Sequence, residues 1–205
     1  MNVGIIGSGQ VGTALAGALR RAGHDVVFGV KAPAAGRPDQ ASVGEAARRA
    51  EAAILAVPFT AAAEVIGAAA GFAGKILIDA TNPLGIDADG LGLTIGFATS
   101  GAEQIAALAP RAKVFKTFNQ TGFENMADAR GYAARPVMFV AGDDAAGKAT
   151  VLALVADSGF DAVDAGGLRA ARLLEPLAML WIELARKRGL GADFVFSLQR
   201  KTRNG

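Results

Sequence analysis

A glycine-rich segment near the start of the chain has the residue types and spacing that can hold a phosphate. Residues 7–12 read Gly-Ser-Gly-Gln-Val-Gly and follow an apolar run that contains Val3, Ile5 and Ile6. In a strand–turn–helix unit, the first glycine of a GxGxxG segment permits a tight turn, the second admits phosphates, and the third lets the helix pack on the strand. Free N–H groups and the dipole at the helix start favour an anion. The segment therefore predicts a site for a dinucleotide pyrophosphate.

Apolar runs bounded by turn residues alternate along the chain with segments of helical periodicity. Strands that are apolar almost throughout, with helices between them, are typical of a parallel sheet covered on both faces. Residues 84–98 are rich in glycine and predict a loop. The predicted strands are Val3–Gly7, Asp25–Val30, Ala52–Val57, Lys75–Ala80, Lys113–Phe118, Pro136–Ala141 and Asp161–Ala165, and the predicted helices cover about residues 10–22, 43–50, 60–70, 100–109, 144–157 and 169–187.

The predicted fold class is α/β, with a Rossmann-like, doubly wound, mostly parallel sheet and a small C-terminal helical cap. Residues 1–143 would form the dinucleotide-binding domain, and residues 144–205 a small α/β cap packed on it as one compact unit. In such a sheet the strand order reverses between the first and fourth strands, and ligands bind at the carboxyl ends of the strands there. We therefore expect the ends of the first, third, fourth and fifth predicted strands to surround the cofactor.

The composition argues against several other classes of protein. The chain has 205 residues, of which 52% are hydrophobic and 20% charged, and a net charge of +2, which is too small to indicate nucleic-acid binding. No apolar run is long enough to span a bilayer, and the start of the chain lacks a signal-peptide pattern, so we expect a cytoplasmic protein without a membrane partner. With no cysteine and one histidine, His24, no metal site or Ser-His-Asp triad is predicted.

The residues after the second predicted strand bear on the choice of dinucleotide. NAD-specific folds usually have an acidic residue there, which bonds the adenosine ribose. This strand instead ends Phe28-Gly29-Val30-Lys31, and Arg37 follows on the same loop. A cation at this position attracts a 2′-phosphate, so the sequence favours NADP(H) over NAD; the alternative is an ordinary solvated lysine.

Few acid–base groups fall at the predicted strand ends. Lys116 and Asp79 are the charged ones and are weak catalytic candidates, since they could equally form a buried ion pair. Tyr132 is followed four residues later by Pro136, so a Tyr-x-x-x-Lys acid pair is excluded. This shortage suits a hydride transfer between two cofactors better than a carbonyl reduction, because an alkoxide needs a proton donor.

The C-terminal third has apolar residues at helical spacing: Leu173, Leu177, Leu180, Trp181 and Leu184. They predict packing against the sheet, with a homodimer contact or a wall for a flat ring as the sharper alternative. Pro176 predicts either a kink or the first turn of a second helix. Basic residues at 186–188, and Arg200, Lys201 and Arg203, would lie on the surface or meet an anionic cosubstrate tail.

Segments from most of the chain resemble the dinucleotide-binding oxidoreductases related to the archaeal NADP-dependent reductase of coenzyme F-420, a deazaflavin (F420 below). The cytosolic domain of the STEAP metalloreductases is similar at a greater distance. The segments that carry the resemblance are residues 7–12, 29–31, 57–58, 79–83, 114–119, 139–143 and 167–172.

The resemblance implies a cofactor site and a second ring beside it. A second ring, from F420 or from a flavin (FMN or FAD), would stack in a cleft closed by the C-terminal segment, near Ser197 and Leu198. The NADP(H) site would be formed by Gly7, Ser8, Gly9, Gln10, Val11, Gly12, Val30, Lys31, Val57 and Pro58, with the nicotinamide near Thr81, Asn82 and Asn119.

The predicted function is an NADPH-dependent oxidoreductase that transfers hydride between nicotinamide and a deazaflavin or flavin ring, acting as a homodimer. Two alternatives stay open. One is an NADPH-binding redox sensor without turnover. The other is an imine or 3-hydroxyacid reductase of a small substrate, although such enzymes usually need a long helical domain, and only about 60 residues follow Asp143.

Overall fold

The computed structural model describes residues 1–201, and the structural statements below concern that part of the chain. Arg203 of the basic C-terminal cluster lies outside it. The elements in chain order are β1 Asn2–Ile6, α1 Gln10–Arg21, β2 Asp25–Val30, β3 Gln40–Ser42, α2 Val43–Arg49, β4 Ala52–Leu55, α3 Ala62–Ala68, β5 Ile76–Asp79, β6 Leu84–Asp87, β7 Gly90–Leu93, α4 Gly101–Leu108, β8 Lys113–Lys116, α5 Phe123–Ala127, β9 Val137–Gly142, α6 Ala145–Asp157, β10 Asp161–Gly166 and α7 Ala171–Ile182, with a π-helical turn at Glu183–Lys187.

Eight strands form one sheet in the order β10-β9-β8-β5-β4-β1-β2-β3. The predicted reversal between the strands at Val3–Gly7 and Lys75–Ala80 is wrong, because β1 pairs in parallel with β2 on one side and with β4 on the other. The error comes from β3, a three-residue strand that was not predicted; it is third in chain order and lies at the edge of the sheet, paired with β2. The carboxyl ends of β1, β4, β5 and β8 nevertheless lie side by side along one edge.

The α/β class with a mostly parallel sheet is confirmed. Strands β9 and β10 are parallel to each other, and β9 is antiparallel to β8. Residues after 143 form helices α6 and α7 and also strand β10, which belongs to this sheet. The residues before and after 143 therefore share one sheet.

Alternation of buried side chains along the strands gives the sheet two apolar faces. Val3 and Ile5 of β1 belong to a cluster that includes Leu15 and Leu19 of α1. Ile6 belongs to a cluster on the opposite face, where helices α2, α3 and α4 pack. Because successive side chains of a strand point to opposite faces, a strand buried on both sides must be apolar at nearly every position.

Three local features differ from the predictions or decide between them. The predicted loop 84–98 contains an antiparallel hairpin, β6–β7, whose leucine and isoleucine residues alternate with small or polar ones. The short helix α5 is absent from the prediction. Helix α7 continues through Pro176, which lies inside it, so no second helix begins there.

Candidate functional site

The glycine turn between β1 and α1 has little room for side chains at two of its three glycines. Gly7 has φ +110°, and a Cβ there would lie 2.4 Å from the carbonyl oxygen of Ala56. A Cβ at Gly12 would lie 2.2 Å from the carbonyl oxygen of Gly7. At Gly9 a Cβ would meet nothing within 4 Å, so that position faces open space. The first and third glycines are therefore required by the fold, and the second leaves room for a ligand.

The start of α1 fits an anion. Gly9 is the N-cap residue, and within residues 1–201 no side chain caps this end of the helix. Ser8, Gly9 and Gln10 are exposed, so the first N–H groups of the helix face solvent. Basic residues fill the last turn instead of the first. Unpaired N–H groups with the positive end of the helix dipole are the features that bind a pyrophosphate.

A cavity of about 400 Å³ lies beyond the end of β2. Lys31 is at its edge, and the Nζ atom of Lys31 lies 2.8 Å from Oε1 of Glu64 on α3. Both side chains are about two-thirds exposed, so a ligand can reach either one. The sequence predicted Lys31 at this place but gave no sign of Glu64. The lining residues are Val30, Lys31, Ser42, Val43, Gly44, Glu64, Val65 and Ala68.

The end of β4 meets the glycine turn directly. Val57 is close enough that its Cγ1 would lie 3.0 Å from a Cβ at Gly7, and Pro58 is exposed next to it. A second cavity, of about 640 Å³, opens on the other side of the turn between α1 and α5. Its lining includes Ser8, Gly9 and Gln10 together with Phe123. The predicted residues of the glycine turn and of β4 are thus brought together.

Asn82 and Asn119, which follow β5 and β8, are joined by two hydrogen bonds. Asn82 Nδ2 donates to the carbonyl oxygen of Asn119 at 3.0 Å, and Asn119 Nδ2 donates to Asn82 Oδ1 at 3.1 Å. Asn119 Nδ2 also donates to the carbonyl oxygen of Leu174, and its Oδ1 accepts from Gln120 Nε2. Asn119 is buried and Asn82 only half-buried. Asn82 is therefore the amide that a ligand can reach, and Asn119 holds it in place.

Two further features at these strand ends indicate a functional site. The hydroxyl oxygens of Thr81 and Thr117 are buried and have no hydrogen-bond partner within the described residues. Phe118, whose side chain is fully buried, has φ +57°, which is unusual for a bulky residue. Strained backbone of this kind persists where the surrounding structure requires it, often at ligand sites.

Asp79 and Lys116 form a buried ion pair, with 2.9 Å between Lys116 Nζ and Asp79 Oδ2. A third residue, Glu175 of α7, lies 3.1 Å from the same ammonium group. All three side chains are at most 1% exposed. Of the two roles open to Asp79 and Lys116 on sequence, catalytic group or structural ion pair, this burial favours the second. The sequence analysis did not identify Glu175 as a partner of Lys116, although a lone carboxylate inside an apolar helical run is a recognisable sign of a buried ion pair.

The C-terminal segment lies beside this edge of the sheet. The rings of Trp181 and Phe194 stack with centroids 5.2 Å apart, and Trp181 Nε1 donates to the carbonyl oxygen of Phe194. The carbonyl oxygen of Phe196 accepts from the N–H of Val137, at the start of β9. Ser197 and Leu198, predicted to lie near the second ring, follow directly and are exposed.

Helix α7 is also tied to α4 by a partly buried ion pair. The guanidinium group of Arg172 bonds both carboxylate oxygens of Glu103, at 2.7 and 2.8 Å. These hydrogen bonds hold the pKa of Glu103 below its usual value.

Within residues 1–201 no group of three metal-ligating side chains occurs. None of the described helices has both the length and the apolar character needed to cross a bilayer.

The fold and the glycine turn together define a Rossmann-like α/β fold of the dinucleotide-binding class. Residues 2–83 match the family described as NADP oxidoreductase, coenzyme F420-dependent. A solved structure from Arthrobacter sp. FB24, proposed to be an F420-dependent NADP reductase, has 33% sequence identity and a TM-score of 0.87, with 98% of this chain and all of that chain covered. The chain belongs to this NADP oxidoreductase family.

Two further proteins are similar over much of the chain. Metalloreductase STEAP3 of Rattus norvegicus is 33% identical over 186 residues, or 87% of this chain, which spans 37% of the STEAP3 length. A reductive aminase from Aspergillus terreus, solved with NADPH, has a TM-score of 0.67, with 92% of this chain and 62% of that chain covered. At 22% identity, the aminase shows the shared fold alone.

Proposed function

We propose that this protein is an NADPH-dependent oxidoreductase that transfers hydride between the C4 atom of nicotinamide and a stacked deazaflavin or flavin ring. One observation carries the proposal. The ionisable side chains at the four strand ends, those of Asp79 and Lys116, are fully buried and paired, so neither is exposed to act as an acid or base beside the half-buried Asn82. Hydride transfer between two rings needs orientation, and the ring nitrogen of the acceptor takes its proton from water.

Each part of the site has a role in binding NADPH. The glycine turn and the start of α1 would hold the pyrophosphate, and Lys31 would bond the 2′-phosphate. Asn82, held by Asn119, would orient the carboxamide of the nicotinamide. When bound, NADPH would supply the hydride, and the residues named here would bind and orient it.

The acceptor is proposed to be F420 or a flavin. The family description and the name of the Arthrobacter relative support F420. The exposed residues Ser197 and Leu198, after the Trp181–Phe194 stack, would border the acceptor ring.

A second copy of the chain is the proposed partner. Leu173 is 72% exposed and Leu180 48% exposed on α7, with Pro176 and Leu177 between them on the same face. An apolar helix face of this kind is stabilised when another surface covers it. Light scattering should give twice the chain mass for the wild type and a lower mass for Leu173→Lys; a wild-type monomer at micromolar concentration would exclude the dimer.

The test is an assay of NADPH and NADH oxidation, with F420, FMN, FAD and no acceptor in parallel. Oxidation is monitored as the loss of the reduced-nicotinamide absorbance. Turnover with NADPH and one ring acceptor is expected. Tight NADPH binding without turnover would instead indicate a redox sensor. Turnover with a cyclic imine or a 3-hydroxyacid, and with neither F420 nor a flavin, would indicate a small-substrate reductase.

A further inference from the structure

The buried ion cluster Asp79–Lys116–Glu175 connects helix α7 to the ends of two central strands. Asp79 ends β5, Lys116 ends β8, and Glu175 lies in the second turn of α7. Asp79 Oδ2 and Glu175 Oε1 lie 2.9 and 3.1 Å from Lys116 Nζ. Such a cluster is costly to desolvate and is stable only while its charged groups are bonded, so its geometry is closely fixed.

Every side-chain polar atom of Glu175 and Lys116 has a partner outside its own helix or strand. The third donor of Lys116 bonds the carbonyl oxygen of Thr81 at 2.5 Å. The carboxylate of Glu175 also accepts from the N–H groups of Gly101 and Ala102, at 2.9 and 3.1 Å, and so caps the start of α4. The charge of Glu175 is thus balanced by an ammonium group and by a helix N-terminus, which fixes the position of α7 along its axis.

The contacts of this cluster adjoin the asparagine pair on both sides. Thr81, whose carbonyl oxygen Lys116 holds, directly precedes Asn82. Leu174, directly before Glu175, accepts the hydrogen bond from Asn119 Nδ2 at 3.1 Å. A shift of Glu175 would therefore move one partner of Asn119 and would release the ammonium group that fixes the backbone next to Asn82.

We propose that Glu175 is a positioning residue for the nicotinamide half of the cofactor, acting through Lys116 and Leu174 on Asn82 and Asn119. The inference rests on the proposed function, in which Asn82 orients the carboxamide. In the proposed site the adenosine half would bind at β1 and β2, whereas the cluster lies on β5 and β8, with β4 between β5 and β1. Loss of Glu175 should consequently weaken the nicotinamide contacts and spare the adenosine contacts.

The experiment compares Glu175→Gln with the wild type, using calorimetric titration with 2′,5′-ADP and with NADPH. The substitution leaves Asp79 and Lys116 as a balanced pair. We expect the affinity for 2′,5′-ADP to change less than about twofold, and that for NADPH to fall by about tenfold or more, the size of the loss of one or two well-placed hydrogen bonds. With an acceptor identified, kcat should fall more than KM rises.

Glu103→Gln is the matched control. It removes the other carboxylate that ties α7 to α4, through Arg172, without contact to Lys116. If Glu175 is a positioning residue, this variant should keep the wild-type ratio of the affinities for NADPH and 2′,5′-ADP. An equal loss in both variants would mean that any loosening of α7 has the same effect, and would overturn the proposal.

A measurement on the wild type covers the case in which Glu175→Gln does not fold. Hydrogen exchange at the N–H groups of Gly101 and Ala102, which Glu175 holds, should slow more with NADPH than with 2′,5′-ADP. Equal slowing by both ligands would overturn the positioning role alone. Failure of the wild type to bind NADPH would overturn the proposed function and this inference together.

Discussion

The two ends of the candidate site are built in opposite ways. At the adenosine end, residues 7–12 and Lys31 are close in sequence, are largely exposed, and depend on backbone geometry. At the nicotinamide end, Asn82 and Asn119 are held by buried side chains from β5, β8 and α7. In the proposed site, a local motif would supply the affinity for phosphate, whereas long-range contacts would set the orientation of the reacting ring.

The glycine turn offers the largest expected effect and separates binding from folding. Gly9→Val should reduce NADPH affinity by more than about 100-fold with little change in melting temperature, because its side chain enters open space that the pyrophosphate needs. Gly12→Ala should instead cost about 1–3 kcal/mol of unfolding free energy, because its Cβ would overlap the Gly7 carbonyl. Calorimetry and thermal unfolding of both variants check this, and retained binding in Gly9→Val would mean that the pyrophosphate lies elsewhere.

The next largest effect concerns the choice between NADPH and NADH. Lys31→Glu should lower the affinity for NADPH by about 10- to 100-fold and the affinity for NADH by much less, because the change replaces an attraction for the 2′-phosphate by a repulsion. Lys113→Glu is the control, since Lys113 also forms an exposed ion pair but lies at the amino end of β8. Equal losses for the two dinucleotides would show that Lys31 is not the 2′-phosphate ligand.

The same contrast explains which parts of the molecule the sequence could predict. The glycine turn has a fixed spacing, the central strands are apolar runs, and Lys31 directly follows one of these runs. Because these signals are local, the structure has the turn, the strands and Lys31 at the predicted places. Strand β3 has three residues and helix α5 five, which is too short for a periodic pattern. Missing β3 shifted the strand count by one and placed the reversal of the sheet beside the wrong strand.

The nicotinamide end is harder to predict because its contacts join distant residues. Asp79 and Lys116 were recognisable as charged residues at strand ends, but their role depended on a partner about 60 residues or more away in sequence, Glu175. The hairpin β6–β7 did carry a signal, since Leu84, Ile86, Leu91 and Leu93 alternate with other residues. Its glycine content concealed that alternation.

A smaller effect is expected from Glu64, the counter-ion of Lys31. Glu64→Gln should raise the affinity for NADPH by about two- to fivefold. The ion pair between Glu64 and Lys31 is exposed, is worth at most about 1 kcal/mol, and must open when the 2′-phosphate binds. NADH serves as the internal control and should be nearly unaffected. A variant that tightens both dinucleotides equally would place the effect of Glu64 outside the 2′-phosphate contact.

The last expected effect is on stability instead of binding, and it depends on pH. Arg172 lowers the pKa of Glu103 in the folded chain, so the pair contributes stability above the unfolded value of 4.5 and loses it as the pH falls through the lower folded pKa. Glu103→Gln should therefore be less stable than the wild type by about 1 kcal/mol at pH 7, and the difference should shrink below pH 4.5. Thermal unfolding across this range checks the sign; a difference that grows in acid would contradict it.

Direct transfer of hydride between two rings is the reaction proposed for this protein, and isotopic labelling of the nicotinamide can follow it. NADPH deuterated at C4, prepared in both stereochemical forms, would be mixed with the protein and F420 without oxygen, and the reduced F420 analysed by mass spectrometry. We expect one of the two forms to pass its deuterium to the deazaflavin carbon and the other form to retain it. Reduced F420 that carries only solvent hydrogen, or tight binding of NADPH with no reduction of F420 or of a flavin, would exclude direct hydride transfer between the rings.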